Sequence, residues 1–153
     1  LIIAIFLKFN FPKAQLFLGD SGAYLIGSLI GITIIKTSIL EASISPLFFC
    51  ILLFYLFFEV FFSFFRKILF FKRSPLLPDN EHLHMLLYRF LIKKKYSKLK
   101  SNYTVSIYIN LIFLLLILPA IFFMENGLFC RYYFFSLLII YVYFYKMLYK
   151  KVK

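Results

Sequence analysis

The sequence has no tryptophan, two histidines and two cysteines. The shortage of histidine and cysteine restricts the kinds of functional site that the chain can form. Its two histidines stand two positions apart, so chemistry that needs imidazole is confined to one short segment. Its two cysteines, Cys50 and Cys130, lie far apart inside apolar runs, which excludes a disulfide framework and a cysteine-rich zinc site. We expect both to be small buried hydrophobic side chains.

The charge of the chain is strongly one-sided. There are 18 Lys and Arg residues but only 6 Asp and Glu residues, which gives a formal net charge of +12. In a soluble protein such an excess indicates nucleic-acid binding. In a membrane protein it indicates cytoplasmic loops, contact with anionic lipid headgroups or anionic substrates. The charge by itself does not choose among these.

Apolar side chains dominate the 153 residues, of which 63% are hydrophobic and 23% are aromatic. Soluble domains are about half apolar. Because a water-soluble fold could not bury this much apolar surface, the composition predicts an integral membrane protein. On that interpretation the positive charge needs no nucleic-acid partner.

Four segments are long and apolar enough to cross a membrane as helices, which takes about 20 residues each. They lie at about residues 21–40, 46–65, 105–124 and 127–145, and residues 1–7 resemble the end of a fifth. The chain starts at Leu1 and not at Met, so we expect the C-terminal part of a longer protein. The prediction is an all-α, polytopic membrane protein, in which the helices form one bundle and one membrane domain.

The basic residues orient these spans. Most of them lie in the polar loop 66–102 and at the C-terminus, and the positive-inside rule places both on the cytoplasmic side. Two spans lie between these segments, and an even number of crossings returns the chain to the same side. The number of spans therefore agrees with the placement from charge. Counting back places residues 8–20 on that side as well. Two distant stretches, around Asp20 and within loop 66–102, can therefore contribute to one cytoplasmic site.

The loop 66–102 is predicted to carry an amphipathic helix. Pro75 and Pro78 break regular structure, and Asp79 after them is a candidate N-cap. Apolar residues then recur at helical spacing, and the helix should end near residues 93–95. We expect this basic helix to lie along the membrane surface.

The segment Gly19-Asp-Ser-Gly22 places a carboxylate at the start of the span 21–40. Asp20 could be a helix N-cap, which accepts hydrogen bonds from the free N–H groups of the first turn. It could instead hold Mg²⁺, which grips phosphate oxygens, while the flanking glycines let a ligand approach the backbone. The residues alone leave both interpretations open.

Three further groups could carry chemistry. His82 and His84 can reach one site only where a helix begins or is irregular, since positions two apart do not share a helix face. They could be an interfacial pair without a role or a zinc site that lacks ligands, but phosphate-facing acid–base groups or donors are favoured. Arg73 could grip a phosphate or only add cytoplasmic charge. Glu59, inside the span 46–65, could pair with another helix or support the site.

Three motifs together resemble one family. They are NFPKAQLFLGDSGA at residues 10–23, FEVFFSFFRK at residues 58–67 and RSPLLPDNEHLH at residues 73–84. In order and in topology they are similar to motifs of the polyprenyl-phosphate N-acetylhexosamine-1-phosphate transferases, which include MraY-like and WecA-like enzymes. The resemblance covers nearly the whole chain.

The resemblance implies a reaction and roles for its residues. A UDP-linked N-acetylhexosamine would give its sugar 1-phosphate to undecaprenyl phosphate, with Mg²⁺ as cofactor and UMP as product, at the cytoplasmic face of a bacterial inner membrane. Such a reaction starts a lipid-linked cell-envelope glycan. The roles carried over are a metal-site and catalytic aspartate at Asp20, a uridine pocket at Asn10 and Phe17, catalytic loop histidines at His82 and His84, and flanking substrate-binding residues at Arg73 and Asp79.

The chain departs from the family in ways that keep other functions open. Met85 stands where the family has a third histidine or a glutamine, and no residues match its N-terminal aspartate-rich motif, so we expect no activity from this chain alone. One rival is a non-enzymatic or degenerate membrane subunit that binds anionic lipid, in which Asp20 and His82 tolerate change. Another is a cation transporter with Asp20, Glu59 and the two histidines as ligands, but it needs polar residues along several spans, and the spans here are almost wholly apolar. The sugar, the glycan pathway and a homodimeric state stay open.

Overall fold

The computed structural model describes residues 2–11, 15–16, 18–69, 72, 74 and 78–153. Within these residues the chain is helical and has no strand, which confirms the all-α prediction. The chain forms two compact units, Leu1–Ile44 and Ser45–Lys153. The helices of the first are α1 (Ile2–Asn10) and α2 (Gly19–Leu40). Those of the second are α3 (Pro46–Leu52), α4 (Phe54–Leu69), α5 (Leu83–Lys93), α6 (Lys98–Phe122) and α7 (Gly127–Val152).

Among the described residues, three helices are long and apolar enough to cross a membrane: α2, α6 and α7. They correspond to three of the four expected spans, and the chain is a membrane protein. Helices α6 and α7 extend well beyond the expected spans at their lysine-rich ends, where the Lys and Leu residues are good helix formers. None of the residues of α2 is buried, which suits a helix whose surroundings are lipid or further protein.

The second expected span, at residues 46–65, is not a single straight helix. Helices α3 and α4 meet at Leu53 with a bend of 78°, as in a broken span or a re-entrant loop. Pro46 occupies the first turn of α3, as predicted, where its missing N–H is harmless. No proline or glycine stands at the break, so the local sequence gives no account of the bend.

The start of α2 explains both glycines of the Gly-Asp-Ser-Gly segment. Gly19 has a φ of +70°, a conformation that other residues rarely adopt. A Cβ on Gly22 would come within 2.8 Å of Leu18 Cγ, so this glycine makes room for a neighbouring side chain. The structure thus gives the two glycines conformational and packing roles that do not involve a ligand.

In the second unit, α5 packs against both α6 and α7, and α3 packs against the same two helices. Leu86 and Leu91 of α5 are buried, so part of its predicted apolar face is covered by protein. The helix ends where expected, because the N–H groups of Lys95 and Tyr96 bond back to the carbonyls of Ile92 and Leu91.

Aromatic rings fill the contact between α4 and α7. Phe58 and Phe62 pack edge-on against Tyr141, with centroids 4.9 and 5.4 Å away, and Phe62 also meets Tyr145 at 4.7 Å. Rings at positions i and i+4 lie on one helix face, so this contact follows the length of α4.

Of the two cysteines, Cys130 is buried as expected, whereas Cys50 is exposed.

Candidate active site

The first unit contains Asp20 and Asn10. Asp20 lies in the first turn of α2, and its side chain is exposed. The N-cap position belongs to Leu18, whose side chain makes no capping hydrogen bond, so Asp20 is not the N-cap that one interpretation expected. Asn10 is the last residue of α1 and is partly buried. Phe17, the other residue expected to line a uridine pocket, is outside the described residues.

The second unit contains a polar cluster between α4, residues 79–82 and α7. We call it the polar cluster, and its side chains are those of Glu59, Ser63, Arg66, Asp79, His82, Tyr141 and Tyr145. Glu59, Ser63 and Arg66 are all buried. They stand at positions i, i+4 and i+7 of α4, which places them on one face of that helix.

Glu59 binds His82 and the start of α5. Its Oε1 atom lies 2.9 Å from Nδ1 of His82 and also accepts the backbone N–H of Leu83 at 2.9 Å. Its Oε2 atom accepts a hydrogen bond from the hydroxyl of Tyr141. The carboxylate therefore caps a free N–H group of α5 from another helix, a role that the sequence assigned to Asp79. That assignment was wrong, because the N-cap position is that of His82.

Asp79 is held by Arg66 and Ser63. Its Oδ2 atom accepts hydrogen bonds from both side chains, and its Oδ1 atom accepts the N–H of Glu81 at 2.9 Å. Arg66 also donates to the hydroxyl of Tyr145 and to the carbonyl of Glu81. The network joins α4, the turn before α5 and α7 through one buried ion pair.

These contacts also decide the charge of Asp79. Burial by itself would raise the pKa of this carboxyl, but the hydrogen bonds from Ser63 and the Glu81 N–H, with the charge of Arg66, lower it below its ordinary value. Asp79 is therefore ionised at neutral pH and its oxygens are occupied by protein donors. A direct contact with substrate, which the sequence suggested, stays a prediction.

His82 and His84 lie on the same side of the chain, as the chemistry expected of them requires. His82 has an extended backbone at the N-cap of α5, and His84 follows in the first turn. Their rings are nearly parallel at 10°, with centroids 5.7 Å apart. The break between extended and helical backbone accounts for this, since two residues within a helix would face different directions.

His84 also lines an open groove of about 450 Å³ between α5 and the start of α6. The lining of the groove is mostly apolar, and its other lining residues are Met85, Tyr88, Lys98, Leu99, Asn102 and Val105. Desolvation lowers the pKa of His84, the charge of Glu59 opposes this shift, and His82 adds to it. His84 is therefore neutral at pH 7 and can accept or donate a hydrogen bond there.

The lowered pKa of His84 predicts that the protein loses stability as the pH falls. Above about pH 6.5 the ring is neutral in both the folded and the unfolded chain. Below that, the unfolded chain takes up the proton first, so stability decreases until the pH reaches the folded pKa. We expect His84→Gln to flatten thermal stability measured between about pH 7.5 and 5. Equal slopes for variant and wild type would contradict this assignment.

Whether Mg²⁺ fits the chain depends on which carboxylates are free. Glu59 and Asp79 are occupied by protein donors. Among the described residues no group of three or more His, Cys, Asp or Glu side chains could hold a metal. Asp20 has an exposed carboxylate with no hydrogen bond to that part of the chain. One carboxylate suits Mg²⁺, which takes few protein ligands and fills its shell with phosphate and water.

Sequence reasoning identified some of these residues and missed others. It singled out Glu59, Asp79 and the histidines, but not Arg66, Ser63 or the two tyrosines as parts of a site. The spacing of Glu59, Ser63 and Arg66 on one face of a Phe-rich helix was a usable signal. Arg73, expected to bind phosphate, is outside the described residues. A meeting of Asp20 with the loop histidines stays a prediction.

Comparison with known proteins gives two partial matches. Residues 1–38 match the family described as Glycosyl transferase family 4. The undecaprenyl-phosphate alpha-N-acetylglucosaminyl 1-phosphate transferase of Thermotoga maritima is 33% identical over 90 residues, which is 59% of this chain and 29% of that protein. No solved structure matches the chain.

These matches confirm the family resemblance over part of the chain. The region that matches the family includes Asn10 and Asp20. The chain covers less than a third of the length of its relative, so the activity of the whole protein has to be proposed and tested.

Proposed function

On the premise of this family resemblance, we propose that the chain is part of a membrane enzyme that transfers a sugar 1-phosphate to a polyprenyl phosphate. The donor is a UDP-linked N-acetylhexosamine and the acceptor is undecaprenyl phosphate. The observation that carries the proposal is the family match of residues 1–38, which contain the exposed carboxylate of Asp20. The paired rings of His82 and His84 support it.

The reaction exchanges one phosphorus–oxygen bond for another. A phosphate oxygen of undecaprenyl phosphate attacks the phosphorus that bears the sugar. The bond from that phosphorus to the UMP oxygen breaks, and UMP leaves with the bonding electrons. The product is a lipid diphosphate sugar, the first intermediate of a lipid-linked envelope glycan. Both reactants are anionic, so the excess of Lys and Arg favours their approach.

Asp20 is the residue proposed to hold Mg²⁺, and it would do so through its free carboxylate. When bound, the ion would neutralise charge on the diphosphate and polarise the phosphorus under attack. Asp20 sits at the N-terminus of α2, whose free N–H groups also favour anions. Because the polyprenyl tail stays in lipid, a site at the end of a membrane helix suits this chemistry.

The loop histidines are proposed to contact the phosphates. His84, neutral and at the edge of the groove, can donate one hydrogen bond and accept another. Nδ1 of His82 contacts Glu59, which leaves Nε2 of the same ring for the proposed contact with a phosphate. Asn10 and Phe17 are proposed to bind the uridine, and Arg73 and Asp79 to flank the phosphates. The site would face the cytoplasm at a bacterial inner membrane.

The test is a transferase assay on the full reading frame, meaning this chain with whatever sequence precedes Leu1 in its gene, expressed in membranes. We expect UMP release that requires Mg²⁺, undecaprenyl phosphate and one UDP-N-acetylhexosamine. The lipid product should carry both the sugar and the donor phosphate. No turnover with any UDP-sugar, from folded protein, would contradict the proposal and favour a non-enzymatic membrane subunit.

A further inference from the structure

Glu59 is a buried carboxylate of the second unit with three hydrogen-bond partners, and no step of the proposed reaction uses it. It is 8% exposed in a helix rich in Phe. A buried carboxylate in such surroundings needs donors around it, and these show what it stabilises. Its partners are the ring of His82, the N–H of Leu83 and the hydroxyl of Tyr141.

The contact with His82 defines where the ring proton sits. A carboxylate only accepts hydrogen bonds, so the 2.9 Å contact from Oε1 to Nδ1 requires a proton on Nδ1. This holds whether the ring is neutral or charged, since both states can carry that proton. The nitrogen that can interact with a ligand is then Nε2.

Nothing in the described part of the chain holds Nε2 in the same way. Its distance of 3.9 Å from Oδ2 of Asp79 is too long for a hydrogen bond. That oxygen already accepts from Ser63 and Arg66. The side chain of His82 is 27% exposed, and no hydrogen bond within the described residues occupies Nε2.

Glu59 itself cannot turn away from the ring. Its other oxygen accepts the hydroxyl of Tyr141, and Oε1 also accepts the N–H of Leu83, the residue next to His82. One oxygen thus fixes both the ring of His82 and the backbone that carries it. Tyr141 is in turn packed against Phe58 and Phe62.

We infer that Glu59 is a positioning residue that keeps the proton of His82 on Nδ1 and presents the unprotonated Nε2 to a protonated phosphate oxygen, as a hydrogen-bond and proton acceptor. The catalytic part of this inference rests on the proposed function, whereas the tautomer does not. A merely structural Glu59 would join α4 to α5 and α7 without setting the tautomer of the ring. Removal of the carboxylate partner of a metal-binding histidine changes activity by about 10- to 100-fold, and we expect an effect of similar size here.

The experiment measures the tautomer directly. The full reading frame is labelled with ¹⁵N-histidine in lipid nanodiscs, long-range ¹H–¹⁵N spectra are recorded, and His82 is assigned by the signals lost in His82→Gln. We expect the Nδ1–H form in wild type. Glu59→Met, which has no acceptor, should move the proton to Nε2, whereas Glu59→Gln keeps an oxygen and should retain Nδ1–H. If Glu59→Met does not fold, Glu59→Asp replaces it, since its shorter side chain withdraws from Nδ1.

A tautomer of Nε2–H in wild type, or an unchanged tautomer after the acceptor is lost or withdrawn, would overturn the inference. Tyr141→Phe should keep the Nδ1–H form, because it leaves both Oε1 contacts in place. Glu125→Gln, an exposed carboxylate in the turn between α6 and α7, is the control for loss of one charge.

Activity is the second readout. In the transferase assay Glu59→Met should lower kcat about 10- to 100-fold with little change in the KM for the UDP-sugar, because a misdirected Nε2 affects the transition state more than binding. Glu59→Gln should recover most of the rate. A wild-type protein with the expected tautomer but no turnover would overturn the proposed function and leave the positioning of His82 standing. If the tautomers are as expected in wild type and in Glu59→Met, but Glu59→Met keeps full activity, only the catalytic part of the inference is overturned.

Discussion

Replacing Asp20 with asparagine should reduce the transferase activity of the full reading frame by about 10³-fold or more. The carboxylate is the proposed protein ligand of Mg²⁺, and charge stabilisation by a metal contributes several kcal/mol at about 1.4 kcal/mol per tenfold in rate. Asparagine keeps the size and one oxygen of the side chain but loses the charge. The measurement is initial rates of UMP release, with Mg²⁺ titrated for each variant.

A purely structural role for Asp20 predicts a much smaller effect. A carboxylate in the first turn of a helix contributes about 0.3–1 kcal/mol through the helix dipole. That loss would lower the amount of folded protein without changing the rate per folded molecule. Glu41→Gln is the matched control, since it neutralises the exposed carboxylate at the other end of α2.

Asp20→Glu adds a finer test. It retains the carboxylate but moves it by one methylene, so it should keep weak activity that needs more Mg²⁺. Undiminished activity in Asp20→Asn would remove this residue from the metal site while leaving the reaction itself intact. Equal losses in Asp20→Asn and Glu41→Gln would indicate an effect on α2 as a whole.

The helices of the chain were predictable because composition and periodicity act locally. Apolar runs of about 20 residues define spans without knowledge of the neighbours. The apolar spacing from Leu83 onward likewise gave α5 and its end near Lys93. The bend at Leu53 was not predictable, because no proline or glycine marks it. The contacts on either side of the bend join residues far apart in the sequence. Helix α3 packs on α6 and α7, while the polar face of α4 contacts α7 and the residues before α5.

The candidate site was predictable in its residue types and not in its partners. Glu59 stands out as a carboxylate within an apolar segment, and its need for a partner follows from burial alone. That the partners are His82 and Tyr141 depends on packing between elements far apart in the sequence. With 12 tyrosines in the chain, no local feature distinguishes Tyr141 and Tyr145 from the others. Asp79 was predicted to be an N-cap because it lies just before an apolar helical pattern, but its carboxylate accepts hydrogen bonds from Arg66 and Ser63 instead.

Breaking the buried pair of Arg66 and Asp79 should have the largest effect on stability. Their side chains are 4% and 9% exposed, so removing one partner leaves an uncompensated charge out of water. Losses of about 3–5 kcal/mol are typical of such changes. We expect this from Arg66→Met and from Asp79→Asn, measured as the free energy of unfolding by steric trapping in bicelles. Arg131→Met, which removes an exposed arginine of α7, should change stability by less than about 0.5 kcal/mol.

The double variant Arg66→Met with Asp79→Asn separates a charge effect from a loss of packing. With neither charge present, nothing is left uncompensated, and the amide oxygen that Asp79→Asn retains can still accept the N–H of Glu81. We therefore expect the double variant to be more stable than either single variant, because replacing a whole buried ion pair is often close to neutral. Additive losses would mean that the two side chains act independently, contrary to their direct contact. Recovery of stability would show that the losses in the single variants come from the uncompensated charge and not from lost packing.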